Sequence, residues 1–109
     1  MKRSTHNLRI VFFRRGGLFT GFEVTGHAGY GDAGNDIVCS AVSSSVMLVC
    51  NTITDFFKAD AVVSVGENRI VLRLNSSDKP SEELLHSFHV HMENIAEEYP
   101  GVKVEIRES

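Results

Sequence analysis

The chain has 109 residues, a hydrophobic fraction of 42% and a formal net charge of −3. These values are typical of one globular domain, and the charge argues against a general nucleic-acid binder, which would carry a basic face. The apolar run after the basic N-terminus is too short for a signal peptide, and no stretch is expected to span a membrane. The sequence therefore predicts a single cytosolic domain over residues 1–109, with reduced thiols.

Five short apolar segments bounded by turn residues predict strands. Arg14–Gly17 and Gly66–Arg69 are predicted turns between neighbouring strands. The last strand shows strict alternation of apolar and charged residues. In chain order, the predicted strands are Leu8–Phe13, Leu18–Thr25 (with Leu18, Thr20, Phe22 and Val24 on one face), Ala61–Val65, Ile70–Leu74 and Val102–Arg107.

Two longer segments with helical spacing separate these strands. The first helix is predicted to begin after Asp36 and to bury the stripe Ile37, Val38, Ala41, Val42, Val46, Val49, Ile53 and Phe57. The second begins near Pro80 and ends at Pro100-Gly101, with the stripe Leu84, Phe88, Met92, Ile95 and Tyr99. The order β-β-α-β-β-α-β predicts one α+β domain, with two helices packed on a five-stranded mixed or antiparallel sheet.

His27 and Cys39 are the candidate catalytic pair, because they bracket a glycine-rich loop between a strand end and a helix start. A thiol in the first helical turn, near an imidazole, suits nucleophilic catalysis. There, free N–H groups and the helix dipole favour the thiolate and can bind an oxyanion. The simpler alternative is that Cys39 is a packing residue, as expected for Cys50, and that His27 is only a polar residue at a strand end.

The residues between the pair have several interpretations. Asp36 can cap the helix, or it can orient His27, and these roles do not exclude each other. Gly29, Gly31 and Gly34 resemble a phosphate loop only in spacing, since no Lys-Ser or Lys-Thr follows them. We instead expect the segment from about Gly29 to Asn35 to be a loop that is weakly ordered or displaced without substrate.

No metal site is predicted. His86 and His89 can share a helical face, but His91 points away and no acidic or thiol ligand completes the set, so a solvated helix face is expected. Cys39 and Cys50 are about 16 Å apart along one helix, which excludes a disulfide between them.

Gly26-His27-Ala28, the glycine-rich loop and the run from Asp36 to Ser43 resemble the signature of the ribosomal-processing cysteine protease family, Prp. The resemblance implies a cytosolic, homodimeric cysteine endopeptidase without a cofactor. Its substrate would be the N-terminal extension of a bacterial large-subunit ribosomal protein, cleaved after an aromatic pair, with no direct contact to nucleic acid or membrane. His27 and Cys39 inherit the catalytic roles, Asp36 a signature position, and Gly29, Gly31 and Gly34 a loop that moves to admit substrate. The alternative function is a non-catalytic, ribosome-associated peptide-binding module.

Overall fold

A five-stranded mixed sheet forms the framework of the protein. The structure is a computed structural model that describes residues 8–26 and 33–108, with side chains from residue 37 onward in the second range. The strands are β1 (Leu8–Arg15), β2 (Leu18–Thr25), β3 (Ala61–Gly66), β4 (Arg69–Leu74) and β5 (Val102–Glu108). Their order across the sheet is β3-β4-β2-β1-β5; β1 and β5 are parallel, and the other neighbours are antiparallel. The predicted α+β class and element order are confirmed.

Both helices pack on one face of this sheet. Helix α1 (Ala33–Asn51) continues into a π-helical segment, Thr52–Phe56, and helix α2 (Lys79–Glu98) connects β4 to β5. The carboxylate of Asp78 caps α2 by accepting the N–H of Ser81 at 3.1 Å. The core between the layers contains Ile10, Phe12, Phe22 and Leu72 from the sheet, and Val42, Val46, Leu85 and Met92 from the helices.

Helix α1 begins four residues earlier than predicted. It starts at Ala33, so Asp36 lies inside the first turn instead of preceding it. Gly34 and Asn35, which were expected in the loop, are helical as well. The prediction placed the helix start at Ile37, the first residue of the apolar periodicity. The preceding turn lacks such periodicity, so the sequence pattern did not indicate that it is helical.

Three predicted core positions of the first helical stripe are wrong. Val38, Val42, Val46, Val49 and Ile53 are buried, but Ile37, Ala41 and Phe57 are exposed. Only the side of the helix that meets the sheet is covered, and the apolar stripe of the sequence is wider than that side.

Leu18 is also exposed, and its neighbour Phe19 is buried in its place. The register between β1 and β2 shifts after Phe13: Phe13 pairs with Gly21, whereas Arg14 pairs with Phe19. The extra residue, Thr20, forms a β-bulge. As a result, Leu18 and Phe19 lie on the faces of the sheet opposite to those that strict alternation predicts. Strict alternation along β2 therefore predicted the wrong face for Leu18.

The expectation that no stretch is long and apolar enough to span a membrane is wrong. Ile37–Phe56 is long and apolar enough, with a mean hydropathy of 1.7. In the structure, one side of this segment packs into the core formed with the sheet and α2. A third of the segment is buried in this way, which leaves much of its apolar surface on the outside of the chain.

Candidate active site

Cys39 lines a cavity of about 220 Å³ between α1 and the sheet. Val42, Ser43 and Val46 continue the wall along α1. The sheet and its turns supply the other walls, namely Leu8, Val24, Gly26, Val65, Gly66, Asn68, Arg69 and Ile70. Because most of these side chains are apolar, the cavity offers an apolar side chain of a ligand a place beside a thiol.

The chain leaves β2 at Gly26, directly before His27. Gly26 has a φ of +87°, a left-handed conformation that a residue with a Cβ adopts only at a cost. It is exposed and forms part of the cavity rim. The described chain therefore reaches the Cys39 cavity at the residue that precedes the candidate base.

The position of Cys39 within α1 differs from the prediction. Because α1 begins at Ala33, Cys39 is its seventh residue and lies in the second turn. The N–H groups without intrahelical partners belong to the first four residues of an α-helix. The expectation that Cys39 lies in the first helical turn, beside free N–H donors, is therefore wrong, and such donors are found one turn earlier.

Cys39 and Cys50 lie in different surroundings. Cys39 is half-buried, and its Sγ lies 3.9 Å from the Oγ of Ser43, one turn along the helix. Cys50 packs against the core, and burial raises the pKa of its thiol to about 11. Cys50 is therefore a protonated packing residue at neutral pH, as predicted, whereas Cys39 opens onto a cavity.

Part of the predicted site lies outside the described residues. His27, Gly29 and Gly31 belong to this part, so the distance between His27 and Cys39 stays a prediction. Asp36 and Gly34 are within α1, and the side chain of Asp36 lies outside the described range. The structure thus brings Cys39 to the end of β2, and the pairing of Cys39 with His27 remains to be tested.

The turn between β3 and β4 contributes two cavity residues that sequence reasoning missed. Asn68, with a φ of +60°, and Arg69 both line the cavity. The guanidinium of Arg69 donates to the carboxylate of Glu23 on β2 at 2.6 Å. The sequence Gly66-Glu67-Asn68-Arg69 signals a turn, but only the pairing of β4 with β2 brings that turn next to α1.

The α2 histidines do not form a metal site. Among the described residues, no cluster of three or more histidine, cysteine or acidic side chains could hold an ion. The predicted solvated face is correct for His86 and His91 but wrong for His89, which packs edge-on against Phe12 at a centroid distance of 4.9 Å. Burial lowers the pKa of His89, with Glu93 opposing that change.

Comparison with known proteins gives the family. The sequence pattern of the family described as cysteine protease Prp matches residues 8–103 of this chain. The chain belongs to the Prp cysteine protease family. The resemblance to this family and the prediction of a cysteine protease are thereby confirmed.

Solved structures share this Prp fold. The crystal structure of SMU.848 from Streptococcus mutans is 32% identical, with a TM-score of 0.78 and coverage of 95% of this chain and 97% of that one. The essential ribosomal processing protease Prp from S. aureus, in complex with a covalently linked product peptide, is 20% identical, with a TM-score of 0.81 and coverage of 92% and 99%. The same protease with a substrate peptide has 19% identity, a TM-score of 0.77 and coverage of 94% and 99%. No curated protein matches the chain.

Proposed function

We propose that this protein is a cytosolic cysteine endopeptidase that removes the N-terminal extension of a bacterial large-subunit ribosomal protein. Cys39 is the nucleophile and His27 the general base and acid, within one protease domain over residues 1–109. The single observation that carries this proposal is the cavity that Cys39 shares with Gly26, the residue before His27. Family membership and the S. aureus ribosomal processing protease support the substrate class.

The proposed reaction proceeds through a thioester. His27 takes the proton of the Cys39 thiol, the resulting thiolate attacks the scissile carbonyl carbon, and the carbonyl oxygen becomes an oxyanion. His27 donates a proton to the leaving nitrogen as the C–N bond breaks. His27 then takes a proton from water, which attacks the thioester and releases the carboxylate product and Cys39. No metal or organic cofactor takes part.

The oxyanion requires donors that the second turn of α1 does not supply. Backbone N–H groups of the first turn, from Ala33 onward, are free by helix geometry and lie closest to the preceding loop. Asp36, in that turn, is proposed to orient His27 or to stabilise the helix start, where a carboxylate favours the dipole. Gly29, Gly31 and Gly34 are proposed to let the preceding segment admit the peptide.

The cavity walls support an aromatic residue beside the cleaved bond. Val24, Val42, Val46 and Ile70 form apolar walls that exclude water from a bound ring. The family resemblance implies an aromatic pair before the scissile bond, and the apolar walls are compatible with one such ring.

The decisive experiment compares cysteine variants on a fluorogenic peptide that carries the extension sequence with its aromatic pair. Cys39→Ala should abolish cleavage, because it removes the nucleophile, and His27→Ala should lower kcat at least about a hundredfold. Cys50→Ala is the matched control: it removes the other thiol from the same helix and should retain cleavage. Circular dichroism should report folded protein for all three variants.

The alternative is a non-catalytic, ribosome-associated peptide-binding module. It predicts that wild type and Cys39→Ala bind the peptide equally and that neither cleaves it. Cleavage by folded Cys39→Ala at the wild-type rate would also disprove the proposed nucleophile. Mass spectrometry of the wild-type protein with peptide should instead detect an acyl-enzyme on Cys39.

We also propose that the functional form is a homodimer. Ile37, Ala41, Ser44 and Leu48 follow one line along α1 at spacings of four, three and four residues, and all four are exposed. Ile37 and Leu48 are 65% and 67% exposed, respectively. A second copy that covers this line would bury the apolar surface of α1 that the sheet leaves open.

A further inference from the structure

The face of the sheet opposite the helices carries most of the basic side chains of the sheet. Strand pairing places alternate residues of β1, β2, β4 and β5 on this open face. Away from the β1–β2 hairpin end, where Arg15 lies, five cations and two carboxylates lie there, a surplus of three positive charges in a chain with a net charge of −3. They are Arg9, Arg69, Arg73, Lys103, Arg107, Glu23 and Glu105.

Two of the five cations are neutralised within the face. Arg9 pairs with Glu105 at 2.8 Å, and Arg69 pairs with Glu23 at 2.6 Å. Both carboxylates are thereby used. Among residues 8–26 and 37–108, no ion pair is formed by the three remaining exposed cations, Arg73, Lys103 and Arg107.

Arg73 is held over an aromatic ring. Phe13, Gly21 and Arg73 form one row across β1, β2 and β4. Gly21 has no side chain, so the Arg73 guanidinium crosses it and lies 3.9 Å from the centroid of the Phe13 ring. Phe13 is buried beneath it, whereas Arg73 is exposed. This cation–π contact fixes a planar, charged group on the open face.

We propose that this open face binds single-stranded RNA. The unpaired cations neutralise phosphates, and guanidinium groups bind phosphate oxygens in bidentate geometry. A base can stack on the exposed side of the Arg73 guanidinium, and stacking platforms within basic surfaces are how proteins hold single strands. An acidic protein could bind the same cations, but its carboxylates cannot stack on the plane of the Arg73 guanidinium.

The choice of RNA over DNA rests on the proposed function, since a ribosomal substrate brings RNA with it. The open face lies on the other side of the sheet from Cys39, which is on a helix. RNA and peptide can therefore be held at the same time. Binding to RNA would concentrate the protease on ribosomal particles.

The test is fluorescence anisotropy of a labelled oligouridine RNA with wild-type protein, without peptide, over a series of salt concentrations. With three phosphates neutralised, the slope of log K against log salt concentration should be about −2. Each of Lys103→Gln, Arg107→Gln and Arg73→Gln should make the slope shallower by about 0.7. Arg73→Lys should keep the slope but weaken binding about fivefold, because it keeps the charge and loses the planar stack.

Lys79→Gln is the matched control, since it removes one exposed cation at the start of α2, away from the open face. It should leave the slope unchanged. Absence of saturable binding at low salt, or an equal loss in Lys79→Gln and Arg107→Gln, would overturn the proposal. So would displacement of the RNA by an equally charged polyglutamate at the same concentration, which would assign the face to an acidic protein. These outcomes do not depend on peptide cleavage, so failure here leaves the protease assignment to its own test.

Discussion

At the scale of single residues, the surroundings of the two thiols determine which of them can react with a ligand. Both cysteines lie on α1, eleven residues apart, and the sequence around each is apolar. Both cysteines pack against the core, but only Cys39 also lines the cavity that opens to solvent. Eleven residues make about three helical turns, so the two thiols lie on nearly the same side of α1, and the difference comes from their positions along the helix.

The first prediction concerns alkylation of these thiols. Iodoacetamide at pH 7.5 should modify Cys39 at least about tenfold faster than Cys50, because thiolate is the reactive form and the pKa of Cys50 is raised to about 11. Peptide mass spectrometry over a time course measures both rates in one sample. In urea the two rates should converge, and equal rates in native protein would contradict the distinction.

The second prediction concerns His89 and pH. Burial against Phe12 and Phe19 lowers the pKa of His89 below 6.5, and His86 and Arg14 lower it further, while Glu93 opposes them. The unfolded state therefore binds this proton more readily than the folded state. The free energy of unfolding should decrease as pH falls from about 6.5 through the lower folded-state pKa.

Urea denaturation between pH 7 and pH 5 measures this effect. His89→Gln should lose part of the pH dependence, because glutamine does not titrate. His91→Gln, which alters an exposed histidine on the same helix, is the matched control and should behave as wild type. Identical pH profiles for wild type and His89→Gln would show that His89 protonation does not contribute.

At the scale of the elements, the pairing of β2 with β4 depends on one glycine. A Cβ at Gly21 would lie 2.2 Å from the carbonyl oxygen of Leu72 on β4, closer than any Cβ contact allows. The backbone of β4 cannot yield as a flexible side chain would. Gly21 therefore permits the close approach of two central strands and, on the open face, the contact between Arg73 and Phe13.

The third prediction follows from this contact. Gly21→Ala should lower the free energy of unfolding by about 2–3 kcal/mol, because β2 and β4 must separate to admit the methyl group. Gly66→Ala is the control: its nearest neighbour, the Arg69 carbonyl oxygen, is 4.0 Å away, so the change should stay within about 0.5 kcal/mol. Chemical denaturation measures both, and similar values for the two variants would contradict the steric argument.

At the scale of the whole molecule, α1 divides its apolar residues between two environments. Val38, Val42, Val46 and Val49 meet the sheet. Ile37 and Leu48 point elsewhere, and Phe56 at the end of the π-helical segment is 82% exposed. This much exposed apolar surface on α1 is typical of a helix that packs against another molecule.

The fourth prediction tests whether that molecule is a second copy. Leu48→Glu should convert the dimer to a monomer, because it places a charge within the proposed apolar contact. Val90→Glu, on an exposed apolar position of α2, is the matched control and should remain dimeric. Sedimentation velocity over a concentration series distinguishes the two. A wild-type monomer at all concentrations, or a persistent Leu48→Glu dimer, would disprove this surface.

Local patterns in the sequence determined the class and order of the elements. Alternation in Val102–Arg107 and the helical stripe through Val42, Val46 and Val49 are set by backbone period, which any partner must accommodate. The His27-to-Cys39 segment likewise carried the family resemblance without knowledge of its packing. The sequence could therefore predict the elements, the candidate nucleophile and the family.

Only the tertiary structure decided which faces are covered and which distant residues meet. The bulge at Thr20 exchanged Leu18 for Phe19, and the pairing of β4 with β2 brought Asn68 and Arg69 to the Cys39 cavity. The net charge of −3 likewise gave no indication of the basic open face, because only the strand register brings those cations together. Strand register and the packing of layers depend on contacts between segments that are distant in the sequence and similarly apolar. The periodicity within one segment therefore cannot specify them.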